Sequence, residues 1–207
     1  MNTLQIIALA MLGMYYLAYF MKALLLKRQG IAVHLLGKGN KPKKALIIEA
    51  CLRFATLAGA VIQFGSVLFD DFIRMIPLAL PVRIAGVVLL FLGVFIFTAA
   101  MLTMRDNWRA GFDRDQNTSL VTNGIYRFSR NPAFVGFDLL YIGCAVTFPN
   151  IVNVAAAFAC VLLFHVQILG EEKYCAEAFG QEYADYRTKV RRYLGRADRA
   201  CDKANPK

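Results

Sequence analysis

The chain predicts an all-α integral membrane protein with about five transmembrane helices and a cytoplasmic C-terminal helix, and three observations carry that expectation. Of 207 residues, 58% are hydrophobic, and the mean hydropathy of +0.47 is too high for a soluble domain of this size. The apolar residues come in runs, and a membrane-spanning helix needs roughly 20 of them at about 1.5 Å each. Polar clusters fall between and after those runs rather than along them.

The first run, Leu4 to Leu26, is interrupted by Gln5 and Lys22 alone among strongly polar residues. It lacks a basic leader, exceeds the roughly 7–15 residues of a signal-peptide core, and is followed by no small-x-small cleavage site, so a retained transmembrane helix is expected. Lys22 is placed to snorkel. Tyr15, Tyr16, Tyr19 and Phe20 read as lipid-facing or packing aromatics. The second run is Ala45 to Phe69, where Glu49 and Arg53, spaced i, i+4, read as an ion pair that eases insertion. The third is Val82 to Met104. The fourth, Pro132 to Phe148, is the shortest and is expected to be tilted or broken. The fifth is Ile151 to Gly170. From Glu171 to about Gly195 an amphipathic helix is expected, with a break at Phe179-Gly180 and Tyr183, Tyr186, Val190 and Tyr193 at helical spacing. Residues 196–207 read as a disordered tail.

Charge sets the expected orientation. Lys27, Arg28, Lys38, Lys41, Lys43 and Lys44 crowd the first loop without an acid, and the segment after helix three and the tail are also basic. The opposite side carries Asp70, Asp71, Arg74 and Arg83. The positive-inside rule then puts the N-terminus outside and the C-terminus in the cytoplasm. A bacterial inner membrane is expected rather than the endoplasmic reticulum. The net charge of +10 is a topology and anionic-lipid signal; with the basic residues split among loops, no nucleic-acid partner is expected. No Gly-x-Gly-x-x-Gly or P-loop occurs. The five cysteines show no Cys-x-x-Cys pair, and no metal or disulfide framework is expected.

The segment Gly124-Ile-Tyr-Arg-Phe-Ser-Arg-Asn-Pro-Ala-Phe-Val-Gly136 and the pair Glu171-Glu172 are the informative polar features. Pro149-Asn150 joins helices four and five, so they form an antiparallel hairpin. Residues at equal depth then have numbers summing to about 299, which brings Glu171 and Glu172 to the level of Arg127 and Phe128. His165 falls level with Phe134 and reads as a helix-packing hydrogen bonder. Pro132 suits a first helical turn and Asn131 its cap; Gly136 admits a neighbouring backbone or a ligand. Two polar clusters thus converge at one end of the hairpin, as a site for a charged small molecule requires. Asp138 lies about 9 Å into helix four, where an acid is either functional or bonded to a neighbouring helix. Trp108-Arg109 reads as a lid over the site, with an interface anchor as the alternative.

The stretches Asn107-Trp108-Arg109, Leu120 to Gly136, Glu171-Glu172, Phe179-Gly180-x-Glu182-Tyr183-x-x-Tyr186 and Val190-Arg191-Arg192 resemble the isoprenylcysteine carboxyl methyltransferase and phospholipid methyltransferase superfamily. The resemblance covers about residues 105–195, so the expected division is an N-terminal transmembrane part (1–104), a catalytic part (105–195) and the tail (196–207). It implies methyl transfer from S-adenosylmethionine (SAM) without a Rossmann domain. It also implies a lipophilic, prenylcysteine-carboxylate-like acceptor entering from the bilayer, with membrane lipids as surroundings. A phospholipid or small thiol or amine acceptor is the alternative within the family, and a non-catalytic scaffold or transporter the alternative outside it. Implied catalytic residues are Arg130, Asn131, Asp138 and Glu171. Implied cofactor-binding residues are Gly124, Tyr126, Arg130, Asn131, Pro132, Phe134, Gly136, Glu171, Glu172, Tyr183, Tyr186 and Arg191. Arg130 suits the SAM carboxylate, with Arg191 or Arg192 as alternatives, the glutamates its ribose diol or ammonium, and the aromatics its adenine. The family's eukaryotic prenylcysteine enzymes usually have Arg-His-Pro where this chain has Asn131, a departure that bears on the acceptor.

Overall fold

The computed structural model describes residues 1–31, 33–38, 41–109, 111 and 119–196. Five helices follow one another: α1 (Thr3–Arg28), α2 (Lys43–Leu68), α3 (Leu80–Met104), α4 (Pro132–Thr147) and α5 (Ile151–Lys189). Four of them, α1, α2, α3 and α5, are long and apolar enough to cross a membrane, and α4, at 16 residues, is the short one. The chain is an all-α integral membrane protein. Its outward faces carry Phe54, Phe95 and Phe158, all exposed, as expected of residues whose solvent is lipid rather than water.

Two small-residue stripes hold the centre together. Gly86 and Gly93 on α3 face Gly143 and Gly136 on α4. A Cβ at Gly93 would sit 2.7 Å from the Leu140 backbone nitrogen, and one at Gly136 would sit 2.7 Å from that of Phe97. In lipid, where no hydrophobic drive separates helices from their surroundings, such backbone approach is what gains van der Waals contact. α4 therefore packs most intimately on α3, and the α4–α5 hairpin lies beside that seam.

At the end of the bundle carrying Pro149, polar side chains tie the connections down. Asn150 caps α5, accepting from the Asn153 N–H at 2.8 Å, and donates to Ser66 Oγ at 2.9 Å. Arg83 donates to the Thr147 carbonyl at 2.7 Å and pairs with Asp70 at 3.1 Å.

The tail departs from expectation. The C-terminal helix does not start at Glu171: α5 runs unbroken from the apolar stretch through both glutamates, breaks at Gly180 as expected, where φ of 50° and ψ of −120° leave helical geometry, and its last helical stretch ends at Lys189. After it the chain turns back, with Val190 bridging to Arg196 and the Gly195 N–H donating to the Phe128 carbonyl at 2.8 Å. The expected disordered tail, apart from Arg196, lies outside the described residues.

Candidate active site

Glu172 is the hub at the opposite end of the bundle. Its Oε1 accepts from Arg130 Nη2 at 2.8 Å, Arg130 Nε at 3.1 Å and Asn131 Nδ2 at 3.0 Å. Its Oε2 accepts from Arg192 Nη2 at 2.9 Å and Nε at 3.0 Å. The pairing of residue 130 with 172 agrees with the hairpin register expected from Pro149-Asn150. Burial pushes the Glu172 carboxyl up, but the Arg192 and Arg130 hydrogen bonds outweigh it and hold the group below its usual range. Arg130 also donates to the Val190 carbonyl at 2.7 Å. Arg130 and Glu172, expected as independent partners for opposite ends of a ligand, are thus bonded to each other. Asn131 is the residue before α4, yet its side chain makes no cap bond; the amide is drawn to Glu172 instead.

Glu171, one residue away, has a different environment. Its hydrogen-bond donor is the Gln167 carboxamide, at 3.0 Å. Burial, opposed by that bond, pushes its carboxyl up to about 7. The same Gln167 nitrogen donates to Glu49 Oε1 at 3.3 Å. Glu49 is fully buried and pairs with Lys41 at 2.6 Å, which corrects the expected Glu49–Arg53 pair. The i, i+4 spacing put Arg53 within reach, but the loop before α2 brings Lys41 to a site from which water is excluded.

A single cavity of about 670 Å³ joins these groups to the bundle interior. Its charged end is lined by Arg130, Asn131, Gln167, Glu171 and Glu172, with Tyr126, Tyr183 and Tyr186 as wall. The Tyr186 hydroxyl donates to the Tyr126 carbonyl at 2.6 Å, tying α5 to the 3-10 turn at Gly124–Arg127, and burial raises the Tyr126 phenol. Its other end is aromatic, with Tyr15, Tyr16, Phe134, Phe137, Tyr141 and Phe164. The Phe137 and Phe164 rings lie 5.1 Å apart across the α4–α5 hairpin. Trp108 is buried against Tyr19 at 5.2 Å and lines the cavity too.

Of the residues expected at the site, Tyr126, Arg130, Asn131, Phe134, Glu171, Glu172, Tyr183 and Tyr186 line this cavity, whereas Gly124, Pro132, Gly136, Asp138 and Arg191 do not. Gly136 faces α3, Gly124 packs on Thr103, and Pro132 occupies the first turn of α4. Arg191 offers its carbonyl to the Arg130 N–H at 3.1 Å. Asp138 sits on a part of α4 away from the cavity, with a buried oxygen that has no hydrogen-bond partner among the described residues. His165 bonds Tyr193 at 2.5 Å. The α1 aromatics, read as lipid-facing or packing, turn out to line the cavity together with His34. Their clustering at 15, 16 and 19 on one helical face was the available signal. Gln167 offered none, because its bond to Glu49 joins segments 118 residues apart; Lys41 bonds nearby Leu35 and Glu49 through a loop fold that carries no periodic pattern.

The family described as Phospholipid methyltransferase matches residues 82–182. Those residues, just under half of the chain, are similar to that family. Among relatives, the Schizosaccharomyces pombe Protein-S-isoprenylcysteine O-methyltransferase is 33% identical over 105 residues, 49% of this chain and 44% of that protein. Protein-S-isoprenylcysteine O-methyltransferase B of Arabidopsis thaliana is 30% identical over 109 residues, 51% and 55%. The Saccharomyces cerevisiae Protein-S-isoprenylcysteine O-methyltransferase is 30% identical over 131 residues, 60% and 54%. The chain spans about half the length of these relatives. All three are eukaryotic and give the bacterial-membrane expectation no support. The phospholipid methyltransferase match includes α3, α4 and most of α5, and so both glutamates and the Arg-Asn-Pro segment; α1, α2 and the Lys41 loop lie before it.

Proposed function

We propose that the protein is an integral membrane methyltransferase that uses SAM and methylates the carboxylate of a prenylcysteine-like lipid, with its charged end facing the cytoplasm. The observation that carries this reading is the continuity of one cavity from the charged end at Glu171 to the aromatic end between the helices. The residues present fit SAM. Glu171 lines the cavity and pairs with no Lys or Arg among the described residues, so a cationic ligand group is what would satisfy it. Glu171 would hold the SAM ammonium, and Tyr126, Tyr183 and Tyr186 would wall its adenine. When bound, SAM supplies the electrophilic methyl group.

What this chain contributes is position and dryness. The Glu172 cluster fixes the entry to α4 against the end of α5, which sets where Arg130 and Asn131 stand. Trp108 and the α1 aromatics close the cavity against water. The apolar end receives the lipid chain sideways between helices and brings its head toward Glu171. A carboxylate acceptor needs no general base, so orientation and water exclusion are the main demands on the protein. The match to phospholipid methyltransferases favours, as a second reading, a lipid amine head group, which would need a proton acceptor.

The reading is tested by SAM calorimetry on detergent-purified wild type and Glu171→Ala. Micromolar binding by the wild type, weakened at least tenfold in the variant, is the expected result. A folded wild type that does not bind SAM would refute the proposal.

A further inference from the structure

The carboxylate that the preceding reading assigns to the ligand is held by a chain of buried groups reaching into the part of the protein that precedes the family match. Lys41 and Glu49 form an ion pair in which both side chains are inaccessible. Glu49 Oε2 also accepts the Gly37 N–H at 2.8 Å, and Lys41 also donates to the Leu35 carbonyl at 3.0 Å. That end of Glu49 is therefore engaged by the loop, and Oε1 is left to face Gln167 at 3.3 Å. The Gln167 nitrogen lies between Glu49 Oε1 and Glu171 Oε1. Ionised carboxylates only accept hydrogen bonds, and an amide nitrogen carries two N–H groups, so one donor serves each.

The choice of side chain at 167 has a consequence. A Lys or Arg there would neutralise Glu171 and compete with any cationic ligand. An apolar residue would leave two carboxylates facing each other with nothing between. A neutral amide orients both without cancelling either charge. The nearby arginines do not cancel Glu171 either, because Arg130 and Arg192 are committed to Glu172. The other titratable groups that act on Glu171 are Glu49, Lys41, Tyr126 and Cys175; Lys41 is the one cation among these four, and its ammonium is paired with Glu49.

We propose that Gln167 is a positioning residue: its carboxamide, anchored from behind by the buried Lys41–Glu49 pair, holds the Glu171 carboxylate toward the cavity and leaves its charge available to a cationic ligand group. This rests on the reading of Glu171 as the partner of the SAM ammonium. It makes the loop before α2 part of the site, although that loop lies outside the family match.

The test is SAM titration of the detergent-purified full chain, with a thermal midpoint measured alongside. Gln167→Leu should weaken SAM binding about tenfold or more, the size of a hydrogen bond to a charged group. Glu49 keeps Lys41 and Gly37 in that variant, so the fold should survive. Gln167→Lys keeps a donor but adds a cation, and should weaken SAM binding while holding the thermal midpoint. In a Glu171→Ala background, Gln167→Leu should add less than about twofold, since its effect passes through Glu171. If Gln167→Leu does not yield folded protein, the isosteric Gln167→Glu takes its place with the same expected loss. Unchanged binding in the Gln167 variants, or an equal loss with and without Glu171, would overturn the positioning role alone. A folded wild type without SAM binding would overturn both this role and the functional reading beneath it.

Discussion

Two adjacent glutamates at the end of the apolar part of α5 have opposite surroundings, and the tasks proposed for them follow from their partners. Glu172 has five hydrogen bonds from Arg130, Asn131 and Arg192, so it holds the structure. Removing one partner of such a buried pair typically costs about 3–5 kcal/mol. Arg130→Ala is therefore predicted to lower the thermal midpoint of the detergent-solubilised protein as well as to weaken ligand binding, and an unchanged midpoint would contradict that role. Glu171 is the cleaner probe of the ligand. Its carboxyl, raised to about 7 by burial, is neutral below that pH and ionised above it. The ligand-free fold keeps this group's contribution at low pH and loses it as pH rises through about 7, because the folded state holds the proton more tightly. A cationic ligand prefers the ionised form, so SAM affinity should rise between pH 6 and 8 with release of a proton. Calorimetry in buffers of different ionisation enthalpy reads both, and Glu171→Gln should flatten the profile. An equally steep profile in that variant would assign the titration elsewhere. The pairing of Arg130 with Glu172 was within reach of hairpin arithmetic; their mutual saturation was not, since it depends on Arg192 returning from the turn after α5.

Among the elements, the α3–α4 seam carries the most demanding geometry. Gly93→Ala and Gly143→Ala each put a methyl group against backbone on the facing helix, with the Gly143 Cβ 2.5 Å from the Leu90 nitrogen. Backbone cannot yield as a flexible side chain does, so each is predicted to cost about 1–3 kcal/mol, the usual range for overpacking. Gly13→Ala on α1, where nothing lies within 4 Å, is the control and should be neutral or slightly stabilising. Thermal unfolding in detergent separates the two cases; equal shifts would mean the seam is softer than its spacing indicates. The helices themselves were plain in the sequence because runs of apolar residues are a local signal, and Pro149-Asn150 marked the hairpin for the same reason. The partner of α4 was less plain. Gly136 admitted either a backbone or a ligand, and the matching heptad step to Gly143 and that from Gly86 to Gly93 discloses the answer once the helices are paired. The break at Gly180 was legible from the glycine itself, but the start of the C-terminal helix was misplaced, because the helix continues unbroken from the apolar stretch past Glu171.

At the scale of the whole molecule, the residues before the family match complete what the matched region begins. α1 lends aromatics to the apolar end of the cavity, and the Lys41 loop and α2 brace its charged end through Gln167. The α1 aromatics left a faint signature in their shared helical face, whereas the link from Glu49 to Gln167 left none, since the two are hundreds of ångströms apart along the chain contour. The charged motif around Arg130 and Glu172 was legible because its spacing is compact and ordered. If one cavity serves both a polar cofactor and a lipid, methyl transfer reads both ends of it at once. Purified protein in liposomes would be given methyl-labelled SAM with either a farnesylcysteine carboxylate or a phospholipid amine. Label in a base-labile farnesylcysteine methyl ester, reduced by Glu171→Ala, is the predicted result. Label confined to the phospholipid amine would move the acceptor to the second reading, and no label in either lipid with folded, SAM-binding protein would contradict the account.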